Sequence, residues 1–382
     1  MKDYIFTSES VTLGHPDKIC DFIADSILDE ALKQDRYSKM AVEVTIKNEI
    51  VFIYGEASTR AQIDYEHIAR QCLRKIGYKE DYHIILKISE QSREIHEAVS
   101  KDHEVCAGDQ GIMFGYACNE TEAYMPAPIY YAHRLAFALS QAQKKHAFLG
   151  PDGKTQVSVE YKDGKVARID AIVVSTQHKA SASQDQIREV VMQEVIHPTI
   201  PDDLLDQETK YYINPSGSFV VGGSFGDSGT TGRKIICDTY GGMGRVGGGC
   251  LSSKDPSKVD RTGAYYARYV AKNIVANGLA DRCEIQVSYA IGQAQPISLM
   301  VDTFGTGHVS DQQIKDIVEI NFDFRVQNMI DELDLYQPIY HFTSCYGHFG
   351  KDIFTWERVK KLKAQTDFQP HQYQDTQYGH AH

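Results

Sequence analysis

The sequence predicts an α+β protein in which antiparallel sheets are covered by helices. Two patterns point there. Apolar residues recur at three-to-four spacing in several long stretches, and they alternate in others that fall in adjacent, hairpin-like pairs. Scale agrees: 382 residues, 42% of them hydrophobic and 24% charged, suit an ordinary globular protein of two or three domains with its own core.

The first segment, residues 1–100, opens with a strand, Tyr4–Thr7, and a loop, Ser8–His15. Pro16 suits the first helical position, and Ile19, Phe22, Ile23, Ile27 and Ala31 give the helix an apolar face. His15 and Asp17 then stand beside the helix N-terminus. Met40–Lys47 and Ile50–Glu56 read as two strands joined by a two-residue turn, Asn48-Glu49. That register pairs Lys47 with Ile50 and Glu43 with Tyr54. Glu43 and Glu56 then share one sheet face as diagonal neighbours about 7–8 Å apart. Two carboxylates on one face fit either a solvated surface or a common charged site.

Residues Gln91–Gly111 carry few apolar side chains and read as a loop. The second segment, 101–221, holds a helix near Pro128–Lys145 and a turn at Pro151-Asp152-Gly153. Strands follow at Thr155–Tyr161 and Val166–Ser175, then a helix over Gln184–Ile196. The third, 222–363, predicts a strand at Lys234–Tyr240 and a helix over Pro256–Asn277, with Asp255 as N-cap and Gly278 as stop. A strand over Glu284–Ile291 and a helix near Asp311–Ile320 complete it. Residues 364–382, rich in Gln and His and poor in apolar groups, are predicted to be disordered.

The formal net charge of −12 argues against bulk attraction to nucleic acid or an anionic membrane. There is no apolar run of about 18 residues and no signal pattern, so no membrane span is expected. The eight cysteines form no CxxC pair, which disfavours a zinc site and suggests reduced thiols in a cytoplasmic protein.

Against that acidic background, residues 222–261 stand out. They hold 11 of the 29 glycines, and six basic residues against four acidic ones. Within them Gly242–Gly247 matches GxGxxG, but the next helix is expected only at Pro256, so the strand–turn–helix context of a dinucleotide site is missing. Gly226-Asp227-Ser228-Gly229 is similar to the nucleophile motif of chymotrypsin-like proteases, yet many helices, free thiols and no signal disagree with that class. No GxxxxGK[ST] loop occurs. The run from Gly247 to Asp255 could cradle phosphate: glycines expose backbone N–H groups, the following helix presents its N-terminus, and Lys254 and Lys258 add charge. By itself the run reads rather as an ordinary surface loop with solvated lysines.

Joint order of several motifs decides the matter. From about Phe6 to Trp356 the chain resembles methionine adenosyltransferase, also called S-adenosylmethionine synthetase. The carriers are Phe6-Thr-Ser-Glu-Ser-Val11 with Gly14-His15-Pro16-Asp17-Lys18, and Ala107-Gly-Asp109-Gln-Gly-Ile-Met-Phe-Gly115. Met125-Pro-Ala-Pro128, Ser175-Thr-Gln-His178 and Asn214-Pro-Ser-Gly217 agree, as do Thr231-Gly-Arg233-Lys234 and Asp238-Thr-Tyr-Gly-Gly242. Lys254-Asp-Pro-Ser-Lys258-Val-Asp260-Arg261 and Tyr346-Gly-His-Phe-Gly350 complete the set.

The resemblance implies three similar α+β domains, each a sheet with helices on one face, in a pseudo-threefold arrangement. It implies a homodimer with interfacial active sites, often paired into tetramers. It also implies the reaction: ATP, L-methionine and water give S-adenosylmethionine, phosphate and pyrophosphate, in one-carbon metabolism. Methionine sulfur would attack the 5′ carbon of ATP in line and expel tripolyphosphate, which is then hydrolysed. A thioether needs no general base; the step needs orientation and stabilisation of a highly charged leaving group.

Residue by residue, the resemblance implies a catalytic set of His15, Lys154, Asp227, Arg233, Lys234 and Lys254. These, with Phe219 packing on adenine, match ATP-binding positions. Glu56, Gln91, Asp109, Asp227 and Lys258 match methionine-binding positions, Glu56 meeting the ammonium. Asp17 and Asp260 resemble ligands of two Mg²⁺ ions per site, for which hard carboxylate oxygens are suited. Glu43 resembles the ligand of a K⁺ ion.

The chain departs from the family pattern in places. Cys250, Leu251 and Ser253 replace Ala, Phe and Gly of the glycine-rich loop, Ser218 replaces a basic residue, and Cys106 replaces a glycine. The loop after Gln91 reads Ser-Arg-Glu-Ile-His-Glu-Ala-Val and lacks the family's Pro and Gly, so its opening and closing are expected to differ. Two other readings therefore accompany the enzyme: a nucleotide- or polyphosphate-binding relative, and another ATP-dependent transfer on the same fold.

Overall fold

The computed structural model describes residues 3–90, 100–101 and 104–363. Gln91, the departure at Arg93–Val99 and the tail 364–382 lie outside the described residues.

The strands are β1 Tyr4–Val11, β2 Lys39–Lys47, β3 Ile50–Ser58, β4 His83–Ser89, β5 Ser100–Lys101, β6 Glu104–Val105 and β7 Gly111–Cys118. They continue with β8 Leu149–Lys162, β9 Lys165–His178, β10 Lys210–Ile213, β11 Gly229–Thr230, β12 Arg282–Tyr289 and β13 Ser298–Asp302. The helices are α1 Pro16–Gln34, α2 Tyr65–Ile76, α3 Ala127–Lys145, α4 Gln184–Val190, α5 Val259–Ala276, α6 Asp311–Asn321 and α7 Val326–Glu332. This is an α+β architecture.

Three main sheets result, ordered β11-β2-β3-β4, β1-β8-β9-β10 and β13-β12-β7. Each is completed by a strand from a different part of the chain. β1 leaves the N-terminal region to pair with β8, β7 leaves the middle to pair with β12, and β11 leaves the last third to pair with β2. Helices α1 and α2 lie against the first sheet's layer, α3 against β8 and β1, and α5 against β7 and β12. One core spans the first and third sheets; a second lies between α3, α4 and the β8–β9 ribbon.

Several expectations hold. His15 caps α1 in extended conformation and its Nδ1 accepts the Asp17 N–H over 3.2 Å, while Pro16 occupies the first turn. The β2–β3 register pairs Lys47 with Ile50 and Glu43 with Tyr54, as the two-residue turn requires. Val42, Val44, Ile46, Val51 and Ile53 are buried, so Glu43 and Glu56 share the opposite face. Gly278, at φ 72°, ends the helical stretch behind α5.

Others are corrected. The first strand runs on to Val11 rather than ending at Thr7. Pro151–Gly153 is no turn but a bulge inside β8, where the register with β9 shifts between Leu149 and Gly153. Lys234–Tyr240 is no strand: Ile235–Asp238 forms a helical turn, because Cys237 and Tyr240, three apart, face the core while Ile236 is exposed. Helix α5 starts at Val259, with Lys258 as its N-cap. Asp255 instead caps the preceding turn, accepting the Ser257 N–H and pairing with Lys258 over 2.6 Å. The expected loop up to Gly111 contains the short pair β5 and β6.

Helix α1 explains how the parts interlock. Nearly its whole surface is buried, including Asp17, Asp21, Asp25 and Asp29. Spaced by four, these carboxylates form one stripe. Buried charges must be paired, and each finds partners far along the chain. Asp17 accepts from the Thr230 N–H, Asp21 from Gly232, Asp25 from Ser253 and Arg261, and Asp29 from the Tyr340 and His341 N–H groups.

Candidate active site

The stripe on α1 gathers the predicted residues. Asp17 is 1% exposed, and its carboxylate meets Lys234 Nζ at 2.6 Å and Arg233 Nε at 3.7 Å. Burial alone would raise its pKa, but the Lys234 and Thr230 hydrogen bonds and the Lys234 charge outweigh it and hold the group low and ionised. His15 is equally buried. Burial, with the positive Lys234 and Lys154, depresses its pKa to about 3, so the ring is neutral near pH 7. A neutral ring with Nδ1 occupied by the Asp17 amide leaves Nε2–H as a donor.

The β8 bulge supplies the next wall. Asp152, not selected from the sequence, is buried at 6% exposure. Its Oδ2 accepts the Gly223 N–H over 2.8 Å, and its Oδ1 has no hydrogen-bond partner among the described residues. Burial pushes its pKa up to about 6, with Lys154 opposing and Asp227 reinforcing. Exposed Lys154 and Asp227 therefore flank this carboxylate. Phe219 pairs through its backbone with His178, whose strand β9 runs beside β8.

The glycine-rich loop closes another side. Lys254 pairs with Asp260, whose carboxylate packs so close to Gly249 that a Cβ there would lie 2.2 Å from it. Lys254 also bridges to Ala41 of β2. Glu43 is half-buried; its Oε1 accepts the Ser253 hydroxyl at 2.9 Å. Burial raises the Glu43 pKa against the Ser253 hydrogen bond and the Lys254 charge. This group joins the first one at Gly232, which donates to Asp21 and packs on Cys250.

The structure thus unites His15, Asp17, Arg233, Lys234 and Lys154, sets Asp152 and Asp227 beside them, and holds Glu43, Lys254 and Asp260 next to that group. Glu56 pairs in register with Ala41, which bridges to Lys254, and so shares the Glu43 face; Asp109 lies two residues before Gly111, which packs against the Asp260 carboxylate. Glu56 and Asp109 are both exposed, and Asp109 accepts the N–H of its neighbour Gln110. Lys258 is engaged by Asp255. Gln91 lies outside the described residues. Asp21, Asp25 and Asp152 stand outside the predicted set; the four-residue spacing on α1 is a readable signal for the first two, and Asp152 has none, since its placement depends on the bulge.

Chemically, the arrangement is a cationic basin with carboxylates set singly among the lysines and arginines. Among the described residues no three His, Cys, Asp or Glu side chains converge as a metal site. Single carboxylates fit a hard divalent ion that takes its other ligands from phosphate and water. The Glu43 carboxylate and Ser253 hydroxyl offer oxygens suited to a monovalent ion.

Comparison with known families agrees along the chain. Residues 3–102 match the S-adenosylmethionine synthetase N-terminal domain, 104–219 its central domain and 221–358 its C-terminal domain.

Proposed function

The chain belongs to the S-adenosylmethionine synthetase family, and from that premise we propose how its residues carry the reaction. The protein is a transferase that makes S-adenosylmethionine from ATP and L-methionine. The observation that supports the residue roles best is the convergence of Lys154, Arg233 and Lys234 on the capped N-terminus of α1.

In this reading the three cations and Lys254 take the triphosphate. They stabilise charge that grows on it as the bond to the 5′ carbon breaks. His15 Nε2–H donates toward the phosphate side of the ribose junction. Phe219 packs on adenine beside the Asp152 bulge, and Asp227 orients substrate. The products would be S-adenosylmethionine and tripolyphosphate, cleaved in place to phosphate and pyrophosphate. Asp17 and Asp260 would hold Mg²⁺, which neutralises the polyphosphate when bound. Glu43, with Ser253, would hold K⁺. Exposed Glu56 and Asp109, with Gln91 and Lys258, would receive methionine. The protein would act as a homodimer with interfacial active sites, in keeping with the family resemblance. The enzyme would be cytoplasmic; no helix among the described residues is long and apolar enough to cross a membrane.

The test is to incubate the protein with ATP, L-methionine, Mg²⁺ and K⁺ and to read products by mass spectrometry. S-adenosylmethionine appearing with pyrophosphate supports the roles. ATP binding without a sulfonium product would replace them with a purely binding function.

A further inference from the structure

A cavity of about 500 Å³ lies where the start of α1, helix α3 and the loops around residues 341–353 meet. Its walls are largely apolar, with Phe22, Met125, Phe137, Phe349 and Ile353 among them. Among the described residues its charged members are all basic, Lys75, Arg134 and Lys351, with no carboxylate in the lining. In a chain with 52 acidic residues against 40 Lys and Arg, that is a local reversal of sign.

The cations are poorly compensated. Lys75 Nζ lies 5.3 Å from the Phe22 ring centroid. Lys351 donates to the Phe342 and Cys345 carbonyls at 2.9 and 2.7 Å, which occupies two of its three donors. Among the described residues Arg134 meets the Tyr130 hydroxyl at 2.6 Å and one carboxylate, that of exposed Glu122, at 3.5 Å. His133, 7% exposed, also lines the cavity; its Nδ1 engages the Ser10 hydroxyl, and its Nε2 has no hydrogen-bond partner among the described residues. None of these groups belongs to the phosphate basin described above.

We propose that this cavity binds a small amphipathic anion, an organic acid whose apolar body fills the Phe22–Phe349 hollow and whose head group meets Lys351 and Arg134. Complementarity is of both kinds: apolar area for the body, and positive charge only weakly neutralised for the head. Burial lowers the Lys351 pKa to about 8, and an anion beside it would reverse that loss of charge. The proposal is independent of the transfer chemistry.

The test is a fluorescence titration of the full chain with 8-anilinonaphthalene-1-sulfonate as probe, followed by competition with decanoate and, separately, with ATP. Saturable one-site binding displaced by decanoate and not by ATP is expected. Lys351→Met should weaken the probe about tenfold by removing a partly desolvated charge. Ile353→Glu, at an exposed position where folding is unaffected, should weaken it similarly by adding a carboxylate at the cavity. Binding unchanged in Ile353→Glu, displacement by ATP, or no saturable binding would each overturn the proposal.

Discussion

The Ser253 hydroxyl donates to Glu43 Oε1 over 2.9 Å from a backbone held at φ 79°. A left-handed conformation costs a non-glycine residue about 1–2 kcal/mol. Here the strained residue also donates its N–H to Asp25 and is itself 1% exposed. Ser253→Gly should relieve the strain and lose the hydroxyl bond, leaving stability within about 1 kcal/mol of the parent. Ser253→Ala keeps the strain and loses the bond, so it should cost about 1–2 kcal/mol. Urea unfolding of both variants checks the order; an alanine variant as stable as the glycine one would remove the bond's importance.

Arg261 forms two hydrogen bonds to Asp25, at 2.8 and 3.0 Å, both residues being buried. Its guanidinium also stacks 4.2 Å from the Tyr340 ring centroid. Arg261→Met leaves the Asp25 charge buried without its cation and should cost about 3–5 kcal/mol. Adding Asp25→Asn should restore part of that loss. Stability measured for both singles and the double makes a cycle, and strict additivity would refute the pairing energy.

Asp152 carries an unpartnered buried oxygen, and its amide counterpart can still accept the Gly223 N–H. Asp152→Asn should therefore change stability by less than about 1 kcal/mol while weakening ATP use at least about tenfold. Steady-state kinetics with varied ATP, beside a thermal melt, separates the two effects.

Lys254 is paired with Asp260 and anchored to β2, but it is not part of the core. Lys254→Ala should lower S-adenosylmethionine formation by roughly 100-fold or more with the fold retained. Circular dichroism and product formation measured together test this, and a fully active variant would refute the role.

Burial depresses the His133 pKa from 6.5 to about 3. A histidine that stays neutral in the native state takes up its proton only on unfolding. Its contribution to stability is therefore full above pH 6.5 and declines as pH falls toward 3. His133→Gln should flatten the acid loss of stability by up to about 1.4 kcal/mol per pH unit in that window. Denaturant unfolding at several pH values from mildly alkaline to acidic measures the slope; identical slopes for parent and variant would show that His133 protonates in the native state.

Local rules read along the sequence were enough for the α1 start, where Pro16 and His15 act through their own backbone, and for the β2–β3 register, where turn length sets pairing. They were enough too for the functional family, since the motifs occur in order. Strand β7 escaped because it is buried between α5 and β12 and shows no alternation: Gly115 sits so close to α5 that a Cβ would lie 1.9 Å from Ala267. Only the tertiary structure revealed that β1, β7 and β11 each complete a sheet elsewhere, that Asp17, Asp21, Asp25 and Asp29 fasten distant loops to one helix, and that the β8 bulge turns Asp152 into the basin. The reason is range. Caps, turns and periodicity are decided within a few residues, whereas a buried charge is satisfied by whatever partner the packed chain brings within hydrogen-bond distance.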